Sequence, residues 1–144
     1  MIRRVLAVAI VAAVGITAAV AQDVIAERRE LMKNSGAQAR IGAQMARGEV
    51  PFDLAKAHGI FDVYIAKAEK LERLFPATSK TGGETRALSA IWDKPADWKT
   101  AIEKFGVDSK KAKADTKDLD SFKVAFAAAG KNCGTCHEAF RKSN

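Results

Sequence analysis

Proline is scarce in this chain, with three in 144 residues, and aromatics are few, with seven Phe, two Trp and one Tyr. β-Branched runs are thin outside the first twenty residues, whereas alanine is abundant. Those shortages argue against an all-β sandwich and leave an all-α domain as the natural fold class. At 48% hydrophobic and 28% charged, the composition is globular and excludes a disordered or collagenous chain. Internal repeats and low-complexity tracts are absent. Basic clusters interleaved with aromatics are also lacking, so no nucleic acid partner is indicated.

The first residues form a segment apart from the fold. Met1, Ile2, Arg3 and Arg4 give a basic start, and an apolar run follows from Val5 to Val20. It closes on Ala19-Val20-Ala21, the small-x-small pattern of a signal peptidase site. The run is short for a membrane span, which needs ~20 residues. Residues 1–21 therefore read as a cleaved signal peptide for export to the periplasm, and an uncleaved N-terminal anchor is the alternative. Removing those 21 residues, two of them arginine, leaves residues 22–144 as one domain with net charge +5 in place of +7. Its lysines are scattered along helical faces. They form either a solvated surface or a docking face for an acidic partner.

Four helices follow from apolar spacing. Over about Asp23–Arg47, Ile25, Met32, Ala39 and Ala46 recur every seven residues. Val24, Leu31, Ile41 and Met45 widen that stripe, and Gly48 is a stop signal. Gly36 and Gly42 weaken the helix unless something bulky approaches that face. Pro51 and Asp53 mark a second start. From there Leu54, Ala57, Phe61, Tyr64, Ala68, Leu71 and Phe75 step by three and four until Pro76. A loop containing Thr81-Gly82-Gly83 runs from Ala77 to about Ala87. A third helix begins near Pro95 with Trp98, Ile102 and Phe105 inward. Its Lys-rich second half is expected to fray or break near Gly106. The fourth runs from about Leu119 to Lys142, with Phe122, Phe126, Ala129, Cys133, Cys136 and Phe140 on one seam. Four such helices with short turns predict an all-α, antiparallel four-helix bundle.

The chain's only cysteines fall in Cys133-Gly134-Thr135-Cys136-His137. C-x-x-C-H is the attachment signature of c-type haem. Two vinyl groups need two thiols at fixed separation, and a three-residue step on a helical turn supplies it. His137 follows at once and is the candidate axial ligand of the iron. Cys133 and His137 are i, i+4 neighbours on one face. That face is the apolar seam, so the haem would sit in the core near the C-terminal end of the last helix. A thioredoxin-like pair would need a βαβ context. A structural zinc site would need four ligands, and His58, the other histidine, has no ligand spacing around it. A Cys133–Cys136 disulfide is conceivable in an oxidising compartment, but leaves His137 unexplained.

A second axial ligand would decide the behaviour of the iron. Met32 lies on the inward stripe of the first helix, where its thioether could face the iron or serve as core packing. Met45 also points inward, more than three turns further along.

The C-terminal C-x-x-C-H, the helix pattern and the export signal together resemble the class II cytochromes c, the cytochrome c-prime family with its low-spin c-556 relatives. Further stretches that carry the likeness are Arg28-Arg29-Glu30-Leu31-Met32-Lys33, Leu74-Phe75-Pro76, Gly82-Gly83-Glu84-Thr85-Arg86 with Ile91-Trp92, and Cys133 to Arg141. The resemblance covers essentially Gln22 to Asn144. It implies one covalent haem c on Cys133 and Cys136, with His137 as the proximal ligand of the iron. It implies that Met32 occupies the position facing the open side of the haem. Low-spin members use methionine there as a ligand. The c-prime members leave the iron five-coordinate, usually beside an apolar side chain. The contexts Leu31-Met32-Lys33-Asn34 and Gly48-Glu49-Val50-Pro51-Phe52-Asp53 look closer to the c-556 group.

The resemblance also implies haem-pocket roles for Arg28 at a propionate, for Glu84 and Thr85 at the haem edge, and for Arg141 beside the proximal histidine. Against these stand a solvated Arg28, a helix-capping Glu84 and Thr85, and an Arg141 that complements the carbonyl end of the last helix. Trp92 and Trp98 read as core packing. Relatives often dimerise through the first two helices, so a homodimer is permitted. The expected function is soluble one-electron transport between redox partner proteins in the periplasm, with no membrane contact after signal cleavage. No side chain is set for acid–base or nucleophilic work, so this reading is not of an enzyme. The alternative is a five-coordinate protein binding nitric oxide or carbon monoxide on the Met32 side. A haem-free bundle acting through its thiols is a weaker third.

Overall fold

The computed structural model describes residues 2–143, with side chains from Asp23 onward. The export signal assigned to Met1–Ala21 lies outside the residues whose side chains are described. Helix α1 spans Ile2–Ala46, α2 Leu54–Leu71, α3 Ala90–Asp93, α4 Pro95–Asp115 and α5 Leu119–Phe140. The four long helices form the bundle: α2 packs on α4, α4 on α5, and α1 on both α2 and α5. Among the described residues no helix is long and apolar enough to cross a membrane.

Each helix end has a local cause. α1 stops where Gly48 takes a left-handed φ of 72°. Its N–H donates to Met45 O at 3.1 Å, and the Glu49 N–H donates to Gln44 O at 2.9 Å. That pair of bonds is a Schellman motif, which satisfies carbonyls the helix would leave bare. Asp53 caps α2 by accepting from the Lys56 N–H at 3.0 Å. Pro76 disfavours α geometry in the residue before it. The apolar seam expected to run to Phe75 accordingly leaves the α-helix at Leu71 and continues as a 3-10 turn over Glu72–Leu74. α5 opens on a capping box between Asp118 and Ser121. Within the 77–87 stretch, Ala77–Ser79 forms a second 3-10 turn. The one-turn α3 was not anticipated from apolar spacing, because four residues are too short to show a period.

The core is aromatic along the bundle axis. Phe61 and Phe122 are fully buried with ring centroids 6.0 Å apart, and Tyr64 bridges onward to Phe105 at 5.7 Å. Burying side chains of this size contributes ~1.5–3 kcal/mol each. On α1 the inward face is Ile25, Arg28, Met32, Ser35, Ala39, Gly42 and Met45, stepping by three and four. Ile41, expected in the stripe, is 37% exposed because Gly42 holds the inward position.

Gly42 shows why a bulky neighbour requires glycine there. A Cβ at this site would lie 2.4 Å from Cε2 of Phe126. That ring is stacked on Phe122 at 5.2 Å, which limits its retreat. Gly42→Ala gains ~1 kcal/mol of helix propensity but overpacks by ~1–3 kcal/mol. We expect a lower midpoint in a thermal circular dichroism melt. A raised midpoint would mean that Phe126 swings clear.

The fraying expected near Gly106 does not occur, and α4 continues unbroken to Asp115. Gly106 is a contact point: a Cβ there would sit 3.3 Å from the Cβ of Ala68 on α2. Beyond it Ser109, Ala112 and Thr116 are buried. The Ser109 hydroxyl donates to Phe105 O at 2.7 Å and the Thr116 hydroxyl to Ala112 O at 2.8 Å. Small, self-satisfied polar residues continue the inward face where an apolar count finds nothing.

Candidate functional site

α5 carries Cys133, Cys136 and His137 half-buried on the face that also holds Ala129 and Phe140. No disulfide joins the two cysteines. They open onto a cavity of about 510 Å³, within the ~300–1,000 Å³ range of small-molecule and cofactor sites. α1 supplies one wall through Ile25, Arg28, Met32, Ser35, Gly36 and Ala39, and α2 supplies Tyr64 and Lys67. Gly36 has nothing within 4 Å of a Cβ position, so its side is open to the cavity. Phe75, Ile91, Trp98 and Phe140 make an apolar end, with Trp98 packed edge-on against Phe75 at 4.7 Å and Phe140 at 5.2 Å.

The rim is placed by main-chain bonds between distant segments. Ala87 and Arg141 form an antiparallel bridge. The Leu88 N–H donates to Phe140 O at 3.0 Å, and the Lys142 N–H to Arg86 O at 2.9 Å. Those bonds tie the loop after Gly82 and Gly83 to the end of α5 and bring Glu84, Thr85 and Arg141 to the cavity mouth. Glu84 forms an exposed ion pair with Arg29 across that mouth. A surface pair of this kind is worth ~0–1 kcal/mol.

Arg28 is buried, at 5% exposure. Its guanidinium lies 4.4 Å from the Phe75 ring centroid and donates through Nη2 to Ser79 O at 3.1 Å. Nη1 is buried without a partner, and burial holds the group below its ordinary pKa. An unsatisfied buried N–H costs ~1–3 kcal/mol, so a carboxylate oxygen would be well received there. His137 is likewise pushed below the ordinary histidine range, first by burial, then by Arg141, Lys67 and Arg86. That favours the neutral imidazole, which is the ligating form. Burial raises the Cys136 thiol and the Tyr64 phenol.

All eight sequence-derived candidates, Arg28, Met32, Glu84, Thr85, Cys133, Cys136, His137 and Arg141, line this one cavity. Arg28 is not the solvated arginine that stood as its alternative. Met45 is buried in the core away from the cavity wall. His58 sits apart too, with Nε2 3.0 Å from Thr116 O. Trp92 donates Nε1–H to Phe75 O at 2.8 Å. Sequence reasoning missed Lys67, whose signal was a lysine three residues after Tyr64 on the inward phase of α2. Two thiols one helical turn apart, an adjacent neutral-leaning imidazole, an apolar cavity and an unpartnered guanidinium N–H fit a covalently attached haem.

Comparison with known proteins agrees. A family model described as Cytochrome C' matches residues 23–141. The chain is 38% identical over 124 residues to a cytochrome c' of Rhodopseudomonas palustris, covering 85% of each chain. It is 32% identical over 124 residues to a cytochrome c-556 of the same organism, covering 83% of each. The solved cytochrome c' structure from Rhodopseudomonas palustris superposes with a TM-score of 0.81 at 35% identity, over 85% of this chain and 98% of that one. An NMR-validated structure of oxidised cytochrome c556 from that organism gives 0.77 at 31% identity, over 85% and 98%. The chain therefore belongs to the cytochrome c' family, and its cofactor is one covalently bound haem c.

Proposed function

We propose that the protein is a periplasmic one-electron carrier, exported through Met1–Ala21, whose haem c is attached at Cys133 and Cys136 and held at iron by His137 and Met32. The observation that carries this reading is the composition of the α1 wall. Among the described residues of α1 on the cavity, Met32 alone offers a soft donor. The Ser35 hydroxyl is already committed to Leu31 O at 2.8 Å. When bound, the haem supplies a reversible Fe(II)/Fe(III) couple.

The rest is the work of the chain's own residues. Cys133 and Cys136 fix the cofactor on α5 as thioethers. His137 presents a neutral imidazole from the same turn. Met32 supplies a thioether, a ligand pair that raises the reduction potential. Arg28 offers Nη1–H to a carboxylate at the cavity end. Phe75, Trp98 and Phe140 keep water from that end. The exposed lysines suit an acidic redox partner. This is a carrier's equipment rather than an enzyme's.

A second reading, a five-coordinate gas binder with Met32 unligated, draws on the higher identity to the cytochrome c' than to the c-556. Absorption spectra separate the two. A low-spin spectrum with a weak far-red methionine–iron band, unmoved by nitric oxide, is the result we expect. A broad high-spin Soret band that shifts with nitric oxide would overturn the carrier reading.

A further inference from the structure

α2 brings into the cavity a charged group that none of those roles uses. Lys67 is only 8% exposed, yet it lines the cavity wall. Its Nζ lies 4.6 Å from the Phe105 ring centroid and 5.8 Å from that of Tyr64. Among the described residues no carboxylate forms an ion pair with it. Buried lysines without a carboxylate partner are rare, and here two aromatic faces take that place by cation–π attraction.

The neighbourhood is positive throughout. Lys67, Cys133 and Cys136 line the same cavity; burial lowers the Lys67 pKa, while the two cysteines act in the opposite direction. Arg86, Arg141 and Lys67 all act on His137. Glu84 is the cavity's one carboxylate among the described residues, and it is paired with Arg29 at the mouth. Once the sulfurs are thioethers they can no longer ionise to offset the lysine.

We propose that Lys67 is a buried cation set against the haem-attachment edge that raises the reduction potential of the iron. The inference rests on the attachment of haem at Cys133 and Cys136. Reduction adds one electron from a redox partner to the iron and removes one unit of positive charge from the site. A nearby cation therefore favours Fe(II). Its field is felt strongly because the surroundings are apolar and salt screens buried charges poorly.

The test compares holoprotein variants made in a haem-attaching host, by spectroelectrochemical titration. At a fixed applied potential Lys67→Met should lower the Fe(II):Fe(III) ratio about tenfold, equal to ~59 mV for one electron. Lys67→Arg keeps the charge and should stay within about threefold of wild type. A purely structural lysine would not split the two variants in this way. A change smaller than about threefold in Lys67→Met, a rise in the ratio, or an equal fall in Lys67→Arg overturns the proposal. Lys67→Gln replaces the methionine variant if that one fails to retain haem. A colourless wild type would instead defeat the haem-attachment reading itself, before any variant is compared.

Discussion

A chain carrying both Cys133→Ala and Cys136→Ala, exported from a haem-attaching host, should emerge colourless and lose its cooperative melt. The argument is one of volume. The cavity is about 510 Å³. At ~24 cal/mol per Å³ of empty space its cost reaches ~12 kcal/mol if dry. Whole domains are stable by only ~5–15 kcal/mol. Water entering through the mouth reduces that cost, but it then wets Ile25, Ile91, Trp98 and Phe140. Two buried cations, Arg28 and Lys67, add to the burden. α1 is the helix most exposed to this loss. From Ile25 to Ala39 its inward residues line the cavity, and of its inward face only Gly42 and Met45 are buried away from it. Detachment of α1 should come first. Circular dichroism should show retained helix without a sharp transition, as in a molten globule. A colourless double variant that melts sharply at the holoprotein's midpoint would defeat the claim that the haem is part of the core.

The elements that were legible from sequence are those whose chemistry repeats along one helix. Cys133, Cys136 and His137 could be placed together because a helical turn fixes their relation. Phe61, Tyr64, Ala68 and Leu71 showed the inward face of α2 by their spacing alone. What escaped was carried by small, polar or long-range features. The second half of α4 hides Ser109, and Thr116 is buried just past its end; both bury well because each hydroxyl finds a carbonyl one turn back. Lys67 stayed unseen because lysine is normally read as surface, whereas here its stem and ammonium are covered by aromatic rings. The bridge from Ala87 to Arg141 joins residues far apart in sequence, and no local pattern encodes it. Arg28, Glu84, Thr85 and Arg141 were reachable only through family likeness. Periodicity could put Met32 inward, but not say what it faced.

Met32→Leu is expected to turn a low-spin iron high-spin while leaving the bundle folded. Leucine matches methionine in volume, and swaps of this type cost less than ~1.5 kcal/mol. A change in the spectrum would then report the missing sulfur and not a damaged core. Met32 is only half-buried, which softens the packing cost further. Met32→Ala should give the same spectral change with a larger loss of stability, toward the low end of the ~2–5 kcal/mol range for such truncations. Both variants should lose the weak far-red band, gain a nitric oxide-induced shift and show a lower reduction potential, because a thioether axial ligand raises it. An absorption spectrum of Met32→Leu identical to wild type would remove Met32 from the iron. The α1 wall would then offer no side-chain ligand, since Ser35 is bonded back to Leu31 and Arg28 is a donor without a lone pair to give. If the spectrum shared by both is high-spin, the five-coordinate gas-binding reading stands in place of the carrier.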